Sequence, residues 1–95
     1  MISSSFSSGL KSASTLINTG KGRLNGVLLT GDGTNAGTLT IYDNTSGSGV
    51  VLAQIAVGAQ HHTAYVSFAS PVSASIGLYA ALTGTGATFI VHYGG

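Results

Sequence analysis

Only Lys11, Lys21, Arg23, Asp32 and Asp43 are charged in a chain of 95 residues, and the formal net charge is +1. A soluble domain is about one-quarter charged, so this chain is depleted about five-fold; it has no electrostatic case for binding nucleic acid and few side chains for acid–base chemistry. A hydrophobic fraction of 43% excludes a disordered chain, the lack of cysteine excludes disulfides and thiolate zinc sites, and no apolar run reaches the ~20 residues of a membrane helix.

In chain order, residues 1–11 come first. Five serines, Ser3, Ser4, Ser5, Ser7 and Ser8, surround Phe6, and the stretch reads as a flexible arm that Phe6 and Leu10 anchor on a neighbour. It has no basic leader or apolar run of a secretory signal. From residue 12 to residue 95 the chain reads as one β domain. Short β-branched, aromatic and leucine-rich runs predict strands over 12–18, 23–30, 38–43, 50–57, 63–69, 76–82 and 88–93. Several alternate with a period of two. Leu39 and Ile41 oppose Thr38, Thr40 and Tyr42. Ala64, Val66 and Phe68 oppose Thr63, Tyr65 and Ser67. Ile76, Leu78, Ala80 and Leu82 oppose Gly77, Tyr79 and Ala81. Glycine-rich turns separate the runs, as GDGTNAG over 31–37, NTSGSG over 44–49 and TGTG over 83–86. Pro71, the single proline, is expected between strands. About seven strands at this spacing, with no amphipathic helical period, predict an all-β fold: a small antiparallel β-sandwich or a jelly-roll-like barrel.

Two strands break the alternation, at Val27-Leu28-Leu29 and at Val50-Val51-Leu52. A strand apolar on both faces is expected to be covered on both. A chain of 9.4 kDa buries only about 63% of its unfolded surface by the usual scaling, and oligomerisation is a common support for so small a fold. The mean hydropathy of +0.42 agrees. The residues expected at subunit or partner contacts are therefore Phe6, Leu10, Arg23, Val27, Leu29, Val50 and Leu52.

The chemistry-bearing residues fit turns and surfaces better than sites. Asp32 and Asp43 stand where turns favour aspartate, and a paired-carboxylate mechanism needs two of them close together. No G-x-S-x-G elbow is present for a serine nucleophile. His61 and His62 are neighbours at the start of an expected strand and point to opposite faces, so within one chain they do not readily share a metal. One histidine from each subunit could meet a metal across a three-fold axis, with His92 on the last strand as another candidate, but a polar turn or strand residue is the expected reading. The loop from Gly31 to Asn35 has a fragment of a calcium-loop pattern, yet the chain has no glutamate to close one. The Gly84-Thr85-Gly86 turn lacks the helix and lysine of a phosphate loop. No catalytic residue, metal or cofactor is expected. Tyr42, Tyr65, Tyr79 and Tyr93 suit a protein interface or a stacking platform for sugars, and the first three stand opposite the expected core.

The segments KGRLNGVLLT over 21–30, GTLTIYDN over 37–44, SGSGVVLA over 46–53 and GLYAALTGTGAT over 77–88 together resemble small structural proteins of tailed-bacteriophage virions, in particular head decoration, or cement, proteins. The likeness covers roughly residues 20–94 and lies in strand and turn patterns. It implies a β-sandwich subunit, often a trimer, that binds across major capsid protein subunits and stabilises the head of a virion assembled in the host cytoplasm. It brings no catalytic residues. The alternative is a tail or fibre module that binds host-surface glycans through its tyrosines.

Overall fold

The computed structural model describes residues 6–59 and 63–94, without the side chains of 69–71. Among these described residues eight strands follow in chain order: β1 (Phe6–Ser7), β2 (Thr15–Thr19), β3 (Gly22–Thr30), β4 (Gly37–Asp43), β5 (Val50–Val57), β6 (Thr63–Ala74), β7 (Gly77–Thr83) and β8 (Thr88–Gly94). No helix occurs among the described residues. The strands form two four-stranded antiparallel sheets, ordered β1-β8-β3-β6 and β2-β7-β4-β5.

The order has a simple logic. β1 pairs with β8, β2 with β7, β3 with β6 and β4 with β5. The chain is one long hairpin, doubled back on itself and wrapped so that successive pairs alternate between sheets. Two further pairings, β3 with β8 and β4 with β7, sew each sheet together. This connectivity is that of the jelly roll, a two-sheet sandwich of eight strands built from two Greek keys. The radius of gyration of 12.6 Å matches the roughly 12 Å of a compact chain of this length.

Alternation puts the core between the sheets. Leu24, Val27, Leu29, Phe89 and Val91 line one inner face; Leu39, Ile41, Leu78, Ala80 and Val57 line the other. Registered pairs join them within each sheet, as Leu29 with Phe89 and Val27 with Val91, or Leu39 with Ile55 and Leu82. No buried side-chain polar atom is left without a partner among the described residues, as an apolar core requires.

Three expectations change. The segment expected as an arm outside the domain joins the fold over its described part. Phe6 and Ser7 pair with Tyr93 and His92, the Ser8 amide donates to the Val91 carbonyl at 2.9 Å, and Lys11 and Phe89 exchange backbone bonds at 2.9 and 2.8 Å. Main-chain bonding to the edge of β8 needs no hydrophobic alternation, so the serine-rich sequence conceals a strand. Residues 1–5 of the expected arm lie outside the described residues. Pro71 falls inside β6 and not between strands. β6 is an edge strand, and its register on β3 jumps from Gly26–Ser67 to Leu24–Val72. Pro71 stands in that bulged stretch, where a missing N–H breaks no regular ladder. Ile76 is an exposed turn residue ahead of β7 and does not share the core face of Leu78 and Ala80.

Candidate interaction surface

Both acids pin loops. The Asp32 carboxylate accepts from the amides of Thr34 and Asn35 at 2.8 Å each and from Asn35 Nδ2 at 2.9 Å. Asp43, at the end of β4, reaches across to the β6–β7 turn. It accepts from the amides of Ile76 at 2.8 Å, Ser75 at 3.0 Å and Gly77 at 3.3 Å. These amide bonds hold both carboxyls below their ordinary pKa of 3.8. For Asp43 the Ile76 amide is the largest cause and the Ser75 amide the next.

The pH consequence follows. A carboxyl whose folded pKa lies below its unfolded value adds stability that is complete above the unfolded value and is lost as pH falls through the folded one. Asp43→Asn is expected to lower the melting temperature at neutral pH and to narrow its gap to the parent as the medium is taken from about pH 7 to about pH 3. A gap that stays constant over that range would show that the charge of Asp43 contributes nothing to the turn.

Both sheets have an outer face, and each carries an apolar row. On the β2-β7-β4-β5 sheet, Leu16 pairs with Tyr79, Tyr79 with Tyr42, and Tyr42 with Val51. Directly paired residues share a face. Tyr79 stands between Leu78 and Ala80, both fully buried, so the whole row points outward. It crosses all four strands. The loop after β4 closes on it: a Cβ at Gly47 would lie 3.4 Å from Tyr79 Cε1, and Asn44 Nδ2 holds the loop by donating to the Ser48 carbonyl at 2.8 Å. Beside the row, Gln54 Nε2 donates to Thr40 Oγ1 at 2.9 Å. On the other sheet, Leu28 pairs with Tyr65 and with Ile90. The Tyr65 ring reaches along the strand, and a Cβ at Gly26 would come within 3.7 Å of its hydroxyl.

Charge is kept off both rows. Lys21 and Asp32 lie in loops, Arg23 near the start of β3, Asp43 at the end of β4, and Lys11 beside β8. Among the described residues no pocket forms and no group of three His or Asp side chains comes together. His61 and His62 lie outside the described residues. His92 stands on the outer face opposite Ser7 and Gly26.

The expected contact residues divide. Phe6 is 56% exposed and tilts against the Tyr93 ring with centroids 5.8 Å apart. Leu10 is 67% exposed and Val50 65%. Arg23 is exposed, with its guanidinium over Gly94. Leu52 is half-buried against the core, at a bulge where β5 slips past Ile41 and Tyr42. Val27 and Leu29 are corrected: at 1% and 0% exposure they are core residues with no surface to offer a neighbour. Of that apolar triplet only Leu28 faces outward. Leu16 and Val51 stand in the outer row but were not among the expected contact residues, because their membership of a row depends on pairing between strands far apart in sequence. Comparison with protein-family models, with curated proteins and with solved structures finds no match for the chain.

Proposed function

We propose that this chain is a structural subunit of a tailed-phage virion, a decoration protein that binds across major capsid protein subunits on the assembled head. The observation that carries the reading is the uncharged row from Leu16 through Tyr79 and Tyr42 to Val51 on one outer face. An apolar row left in water forgoes roughly 25 cal/mol for every Å² that a partner would cover, and tyrosine suits an interface because its ring is apolar and its tip polar. The resemblance in strand and turn pattern points the same way. The jelly roll is also used by viral capsid domains, an analogy of fold and not of site. Adhesion is the mechanism: a protein that binds only the assembled shell stabilises that shell by mass action, and many copies on one shell add avidity. The subunit acts as a homo-oligomer.

The second reading, a tail or fibre module that binds host-surface glycans, is favoured by the same tyrosines, since jelly rolls also serve as lectin domains. Sedimentation with expanded capsids separates the two. The parent protein is expected to pellet with capsids, and Tyr42→Ala or Leu16→Glu to weaken that binding at least about tenfold, as loss of one interface anchor does. Protein that stays in the supernatant, together with glycan binding lost in Tyr42→Ala, establishes the second reading instead.

A further inference from the structure

The two sheets have four edges, and they are not equally protected. β1 is two residues long and β2 five, with a bulge in its pairing. β6 carries Pro71. β5, Val50–Val57, is eight residues long, and its sequence VVLAQIAV holds no charge and no proline. Its pairing with β4 occupies one side; on the other side, among the described residues, no strand follows it in the sheet. Natural edge strands are usually guarded by lysine, proline or brevity, because unpaired N–H and C=O groups template another strand. β5 is long and has no lysine and no proline; its one irregularity is the bulge at Leu52, which leaves Ala53–Val57 as a regular edge, and its Val50 and Val51 are 65% and 50% exposed.

We propose that β5 pairs antiparallel with β5 of a second copy of this chain, about a two-fold axis beside the middle of the strand, to make one continuous eight-stranded sheet. The second copy fits for three reasons. A strand with no charge meets itself with no like-charge contact, which is the main penalty in self-pairing. A copy presents an open edge of the same length, whereas the other edge of the same sheet is only five residues long, so a head-to-tail ring lacks a matching partner for β5. Two-fold pairing is also the commonest closed symmetry. The outer row ends at Val51 on this edge, so the pairing joins two rows into one wider uncharged face. The resulting unit is a dimer and not the trimer that the resemblance implies. The pairing rests on the self-association in the proposed function and is independent of the particle bound.

The test is solution mass by light scattering at micromolar protein, with capsid sedimentation run separately. The parent is expected as a dimer. Gln54, exposed near the middle of β5, stands close to its own counterpart across the axis, so Gln54→Lys places two ammonium groups together and is expected to weaken the dimer at least about tenfold. Ser67→Lys, which puts the same charge on the exposed face of β6, is expected to remain a dimer. Far-ultraviolet circular dichroism and a thermal melt check that both variants fold. Because the chain has no cysteine, Gln54→Cys with a short bismaleimide reports the contact even if the lysine variant unfolds: a linked dimer is expected, and Ser67→Cys is expected not to link. A monomeric or trimeric parent, a dimer broken by Ser67→Lys alone, or the absence of linking through Gln54→Cys would overturn the pairing. Capsid binding by a trimeric parent overturns the pairing alone and leaves the proposed function standing, whereas capsid binding by a monomeric parent also removes the homo-oligomer from that function.

Discussion

Phe89→Ala is expected to cost about 3–5 kcal/mol of unfolding free energy, the range for truncating a buried aromatic side chain. Phe89 is the largest of the fully buried side chains and has 0% exposure. It stands on β8 between β3 and the segment around Lys11, paired with Leu29 on one side and bridged to Lys11 on the other. Its ring fills the space between the two sheets, so its removal leaves a cavity that neither sheet closes without giving up its pairing. A domain of this length has roughly 5–14 kcal/mol of stability in all, so the loss takes about a fifth of it or more. Equilibrium unfolding in urea measures the effect. Leu28→Ala, one residue away in the register of the same sheet but half-buried on the outer face, is expected to cost about 1 kcal/mol, the centre of the range for ordinary point changes. If Leu28→Ala proves the costlier of the two, the inner and outer faces of this sheet are assigned the wrong way round.

Gly84→Ala is the second large effect. Gly84 opens the β7–β8 turn with a φ of +113°, a conformation that side chains disfavour, and a Cβ there would lie 2.5 Å from the Ala36 carbonyl oxygen and 2.7 Å from the Gly37 Cα. Both obstacles are backbone, part of the chain entering β4, and neither turns aside as a flexible side chain does. The strained conformation alone costs about 1–3 kcal/mol; with the clash added, a total of about 3 kcal/mol or more is expected, in the range reserved for backbone strain and overpacking. Gly9→Ala separates the two causes. Gly9 has a φ of +75° with nothing within 4 Å of the added Cβ, so it bears only the strain of a left-handed residue, about 1–2 kcal/mol. Equal losses at the two glycines would mean that the β7–β8 turn moves away from β4 at little cost.

Position along a strand was legible where the alternation was clean. Leu39 and Ile41 face the core as read, Tyr42, Tyr65 and Tyr79 face out, and β5 runs from Val50 to Val57 as expected. Legibility failed where the signal was not hydrophobic. The β1 pairing of Phe6 and Ser7 rests on main-chain bonds that serine does not advertise. Val27, Leu28 and Leu29 are three consecutive apolar residues, and period two cannot say which of them points in; the answer came from a bulge at Asn25 that sets the phase of the strand. The long-range reach of Asp43 to the β6–β7 turn looked like local turn chemistry, because aspartate before asparagine is a turn signal on its own.

The sequence by itself determined that this is a β protein with scant charge, where its turns fall and which faces of most strands are apolar, because these depend on residues within a few positions of one another. Only the tertiary structure decided the jelly-roll order, the row from Leu16 to Val51 and the open edge at β5. Each of those depends on registers between strands far apart in the chain, and such registers are selected by the shared burial of one core between two sheets and not by any local preference.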